Sequence, residues 1–158
     1  MDSIPVTLKG AKALESELSK LKDIIRPRIV EDIATARAHG DLKENAEYHA
    51  AKEEQSFCEG RIKEIESKLS RLQVIDVSKL AQDGRCVFST TVTLMNIDDE
   101  TEISYQIVGE DEADISLGKI SCNSPIARAL MGSEEGDEVT VNAPKGDIVY
   151  EILEVQYI

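Results

Sequence analysis

The chain has 158 residues, room for one domain or two small ones. It carries 18 Lys and Arg against 31 Asp and Glu, a formal net charge of −13, which excludes a free-standing nucleic-acid binder built on a basic face. An apolar fraction of 41% supplies a core and excludes wholesale disorder, while 4% aromatics, with no Trp, leave few rings to stack single-stranded bases.

The opening Met1-Asp2-Ser3-Ile4-Pro5 has neither a basic stretch nor an apolar one, and no apolar run approaches a membrane span. A cytoplasmic protein without a membrane partner is expected. Charge then divides the chain. Residues 1–75 hold 13 basic and 14 acidic side chains, a net of −1; residues 76–158 hold 5 and 17, a net of −12. Glycine follows the same division, being sparse in the first half and frequent from Gly84 onward. Two domains are expected, spanning 1–76 and 84–158, with 77–83 as a linker.

The first half reads as helix. Leu14, Leu18, Leu21 and Ile25 recur at spacings of 4, 3 and 4, followed by Ile29, Ile33 and Ala36 at 4, 4 and 3. A second run, Cys58, Ile62, Ile65, Leu69 and Leu72, keeps 4, 3, 4 and 3. Each is a heptad-like seam with charges on the other faces, so an antiparallel coiled-coil hairpin is expected. Arms of ~30 residues would each be about 45 Å long. Gly40 suits the left-handed end of the first arm, and Pro27 predicts a kink or a local loss of pairing. Ala36, Ala46 and Ala50 are the seam candidates near the turn, which makes a slender end.

The second half reads as strands over Thr91–Leu94, Ile103–Val108, Glu138–Val141 and Ile148–Val155, bounded by Gly or acidic clusters. One short helix stands among them. Ser124 suits its N-cap, Pro125 its first position and Gly132 its C-terminal cap. The whole is an α+β chain: a helical hairpin followed by a small antiparallel sheet with one helix.

The turn between the arms carries the residues that merit chemistry. Asp41 and Glu44, three apart, have the spacing of a capping box, which satisfies backbone N–H groups and complements the helix dipole. The same two carboxylates are hard oxygen ligands that could hold Mg²⁺ weakly, with other ligands borrowed from phosphate or a partner. Arg37, Lys43 and Lys52 flank the turn, either as solvated surface or as a small patch for a nucleic-acid backbone. His39 and His49 lack companions at ligand spacing and read as surface residues. Cys58, Cys86 and Cys122 fit neither a disulfide framework nor a metal site, and without a nearby base they read as structural. The acidic runs at 98–100 and 110–112 read as turn and surface charge. No P-loop or dinucleotide-binding motif occurs, so nothing suggests a self-sufficient enzyme.

The run from Ala36 to Lys52 closely resembles the tip of the bacterial Gre transcript cleavage factors. Ile4-Pro5-Val6-Thr7, Cys58-Glu59-Gly60-Arg61-Ile62 and Asn123-Ser124-Pro125-Ile126-Ala127-Arg128 resemble further signatures of that family, so the likeness runs the whole chain. It implies a coiled coil followed by a domain similar to FKBP. It also implies an accessory factor of bacterial RNA polymerase, with the hairpin in the secondary channel and its tip at the 3′ end of backtracked RNA. Asp41 and Glu44 are then the carboxylates that share a Mg²⁺ with the polymerase active centre, an ion not held stably by the free protein. Tyr48 helps arrange the tip, and Arg37 and Lys52 form a basic patch for the RNA. Ser121, Asn123 and Pro125 lie in the loop that docks on the channel rim. The few cations favour the family's branch with the smaller patch. Alternatives are a Gre-like channel inhibitor without cleavage activity, a prolyl isomerase on the second domain, and a coiled-coil adaptor. The first is disfavoured by the intact Asp41 and Glu44, and the second by Phe88 being the only Phe of its half.

Overall fold

The computed structural model describes residues 3–40 and 45–158. They form two compact units: Ala11–Arg71, and residues 3–10 together with Leu72–Ile158. Both ends of the stretch expected to be hairpin therefore lie in the second unit. The cause is a pair of short strands, β1 (Ile4–Thr7) and β2 (Leu72–Ile75), which run parallel with Val6 opposite Val74. Leu72, expected to close the helical seam, is a strand residue. The expected linker opens with a 3₁₀ turn over Val77–Lys79, capped by the Asp76 carboxylate, which accepts from the Ser78 N–H at 3.0 Å.

The first arm consists of α1 (Leu8–Lys20), a π-helical turn over Leu21–Ile25, and α2 (Arg26–Arg37). The returning arm is α3 (Ala46–Leu69). Leu14, Leu21, Ile29 and Ala36 are buried in the first arm; Ala51, Cys58, Ile62 and Ile65 are buried in the second. The seam thus forms on the expected residues, with one correction near the turn. Ala46 and Ala50 are exposed, and Ala51 is buried instead. Counting back from Cys58 by 3, 4 and 3 lands on Gln55, Ala51 and Tyr48, so the heptad alternation continues where a search for small residues departs from it. Charges clasp the arms from outside. Arg26 and Arg61 each make paired hydrogen bonds to a carboxylate, Glu59 at 2.7 and 2.8 Å and Glu17 at 2.6 and 2.8 Å. Lys22 pairs with Glu66 at 3.3 Å, and Arg28 with Glu54. The irregularity expected from Pro27 takes the form of the π turn just before it, where the Arg26 N–H bonds to the Leu21 carbonyl, five residues back.

The second unit is built on a five-stranded sheet of order β5-β4-β3-β7-β6. Its strands are β3 (Thr91–Asn96), β4 (Glu102–Val108), β5 (Lys119–Ser121), β6 (Glu138–Ala143) and β7 (Gly146–Gln156). The sheet is mixed, not antiparallel as expected, because β4 and β5 pair in parallel. Residues 109–118 make the return, through 3₁₀ turns at Glu110–Glu112 and Ile115–Leu117. The one short helix is α4 (Pro125–Leu130), with Pro125 in its first turn and the Ser124 hydroxyl accepting from the Ala127 N–H at 3.3 Å. Its Ala127 and Leu130 enter a core with Cys86, Phe88, Val92, Leu94, Ile107, Ile120, Val139, Ile152 and Val155. No described helix is long and apolar enough to cross a membrane.

Candidate functional site

Asp41 and Glu44 lie outside the described residues, so the site is built from what flanks them. The first arm ends with Arg37, and Gly40 follows at a φ of 125°, a conformation that favours glycine. The second arm starts at Ala46. Its N-cap is Asn45, whose Oδ1 accepts from the Tyr48 N–H at 3.0 Å. The capping role expected of Asp41 and Glu44 thus belongs, for this helix, to Asn45. Asn45 has a second bond across the turn: its Nδ2 donates to the Ala36 carbonyl at 2.7 Å. That carbonyl also accepts from the His39 N–H at 3.1 Å. One side chain therefore joins the last turn of one arm to the first turn of the other.

Arg37 and Tyr48 meet across the same end, with the guanidinium carbon 5.9 Å from the ring centroid, within cation–π range. Tyr48 also stands edge-on to His49 at 5.6 Å, and His39 Nδ1 lies 3.4 Å from a Glu47 oxygen. The structure thus brings together Arg37 and Tyr48 of the expected residues. Lys52 makes its hydrogen bond along its own helix, to Gln55 Oε1 at 3.0 Å. Among the described residues, no group of three or more His, Cys, Asp or Glu side chains is arranged to hold a metal ion.

In the second unit, Ser121, Asn123 and Pro125 come together in the turn from β5 into α4. Ser121 Oγ accepts from the Asn123 N–H at 3.1 Å, and the Ser121 carbonyl accepts from both the N–H and the hydroxyl of Ser124 at 2.9 and 2.6 Å. Asn123 Nδ2 donates to Glu110 Oε1 at 3.0 Å. Asn123 and Pro125 are exposed, so a hydrogen-bonded turn presents them to solvent. The acidic run beside it is more than surface charge. Glu112 accepts from the N–H groups of Thr7 and Gly109 at 3.1 and 3.0 Å and from the Thr7 hydroxyl. Thr7 in turn caps α1, accepting from the Gly10 N–H at 3.0 Å. Burial pushes the Cys86 thiol up to about 11 and raises that of Cys122, which disfavours the reactive thiolate at both.

Residues 4–74 match the family model "Transcription elongation factor, N-terminal", and residues 81–157 match "Transcription elongation factor, GreA/GreB, C-term". The chain is 77% identical to the transcription elongation factor GreA of Ruthia magnifica subsp. Calyptogena magnifica, over all of both chains. It is 61% identical to that of Legionella pneumophila strain Lens, over 100% of this chain and 99% of the relative. A solved structure, the prokaryotic transcription elongation factor GreA/GreB from Nitrosomonas europaea, aligns over 99% of this chain and 100% of its own, at 22% identity and a TM-score of 0.44.

Proposed function

The chain belongs to the GreA/GreB family of transcription elongation factors, and we propose that it is an accessory factor of bacterial RNA polymerase that rescues backtracked complexes. In this reading the hairpin enters the secondary channel, and its end stimulates the polymerase's own cleavage of the extruded RNA. The observation that carries the reading is the two-armed seam with Asp41 and Glu44 in the link between the arms. Arms of this kind reach tens of ångströms, far enough to carry two carboxylates into a partner's interior.

Two carboxylates are hard donors of the kind Mg²⁺ takes, and they are too few to fill its six positions. Asp41 and Glu44 would therefore complete a Mg²⁺ site whose remaining ligands belong to the polymerase. A Mg²⁺ bound there supplies charge stabilisation at the phosphodiester and a more acidic water. Tyr48, held between Arg37 and His49, steadies the end of the hairpin. Arg37 and Lys52 offer cations to the RNA backbone. Ser121, Asn123 and Pro125 dock on the channel rim, where the −12 of residues 76–158 favours a basic partner surface.

The test is a stalled, backtracked bacterial elongation complex with 5′-labelled RNA. Added protein is expected to shorten the RNA in a Mg²⁺-dependent way, and Asp41→Ala to lose that activity by about 100-fold or more while still competing for polymerase. Binding without shortening by the parent chain would instead identify an occupant that blocks the channel.

A further inference from the structure

We propose that Asn45 is a positioning residue for the tip, acting through the bond it makes across the turn as distinct from its role as a helix cap. The inference rests on the function proposed above. Asn45 uses both ends of its amide: Oδ1 takes the Tyr48 N–H at 3.0 Å, and Nδ2 gives to the Ala36 carbonyl at 2.7 Å. The first bond is what any capping side chain makes. The second needs a donor on the same group, and among the favoured capping residues Asn alone carries one that reaches across a turn. Asn45 directly follows Glu44, and Ala36 is buried in the seam. The bond therefore ties Asn45, the residue next to Glu44 in sequence, to a buried residue of the neighbouring arm. A carboxylate pair that must meet a partner's ligands within a fraction of an ångström needs such a tether, because small displacements of catalytic groups are costly.

Capping and tethering are separated by substitution. Asn45→Asp keeps the acceptor for Tyr48 and turns the group facing the Ala36 carbonyl from donor to acceptor. Asn45→Ser keeps a neutral cap and is too short to reach Ala36. Both are expected to stay folded, with a thermal midpoint lowered by no more than about 5 °C, and to keep the parent's competition for polymerase. Cleavage in the backtracked complex should fall about 10-fold or more, with the half-maximal Mg²⁺ concentration shifted upward. A second readout is independent of cleavage. In the free parent protein, the Asn45 side-chain amide protons should exchange with solvent more slowly than those of the exposed Asn142.

Cleavage and Mg²⁺ dependence equal to the parent's in both variants would overturn the inference and leave Asn45 a cap. Loss of polymerase competition would also overturn it, placing the defect in docking. Fast exchange of the Asn45 amide would do the same. A parent chain that binds but cleaves nothing defeats the proposed function instead, and the amide exchange still reports on the tether.

Discussion

At the scale of single residues, Glu112 shows how a carboxylate in an acidic run acquires a structural task. Its oxygens collect two N–H groups and a hydroxyl from Thr7 and Gly109. The approach is possible because two neighbours lack side chains. A Cβ on Gly10 would overlap the Glu112 carboxyl group, and one on Gly109 would lie 2.7 Å from the Pro5 carbonyl oxygen. Gly10→Ala is therefore expected to displace the Glu112 carboxylate and to cost about 1–2 kcal/mol. In a Glu112→Ala background the same change should be neutral or slightly stabilising, since alanine is the better helix former. Chemical denaturation of the four proteins of this cycle measures the coupling, and additive effects would refute the clamp. None of this was legible locally. Glu110-Asp111-Glu112 has the composition of solvent charge, and its partner lies more than a hundred residues away. Asn45 escaped for a different reason: Asp41 and Asn45 are both good caps, and short-range pattern cannot rank them.

At the scale of elements, the hairpin was legible almost to the residue, because burial along a helix follows a period that sequence displays directly. Even its defect was written there. Three successive spacings of 4 from Leu21 to Ile33 contain one residue more than a 4-3 alternation allows, and the π turn over Leu21–Ile25 absorbs it. The expectation from Pro27 put the irregularity at the proline; the structure puts it one step earlier, where the extra residue falls. The charged clasps make this element sensitive to acid. The Arg61 guanidinium bonded to Glu17 holds its carboxyl below the usual value of 4.5, Arg26 does the same for Glu59, and Lys68 and Arg61 for Glu64. A carboxylate lowered on folding stabilises the native state above its unfolded value and loses that contribution as pH falls through the folded one. The helical melting midpoint, followed by circular dichroism, should therefore fall between about pH 5 and pH 3. Glu17→Gln should lower the midpoint at neutral pH and flatten that dependence. The pairs are at the surface, so solvent screens them and their contribution weakens further in salt.

At the scale of the molecule, the second unit is discontinuous in sequence, with β1 contributed from before the hairpin and β2 from after it. Sequence pattern did not show this pair, since four-residue strands carry too little alternation and their pairing is non-local. β5 was missed for the same reason at three residues, and with it the parallel step that makes the sheet mixed. The strand β1 is nonetheless structural, with Val6 and Thr7 both buried. Val6→Ala should cost about 2 kcal/mol, read by denaturation monitored at the tyrosines of the second unit. The parallel pairing of Thr7 with Ile75 has a kinetic side as well. A flexible chain would have to close a loop over residues 8–71 before the first of these bonds formed, an entropic barrier that grows with the logarithm of loop length. Helices zip in about a microsecond, and two arms that fold back on each other return the chain close to its starting point. The hairpin thus converts a distant contact into a near one, and the order of events follows: arms first, strands second. Slow refolding of β1 onto β2 should then accompany any weakening of the seam, even where the final structure is unchanged.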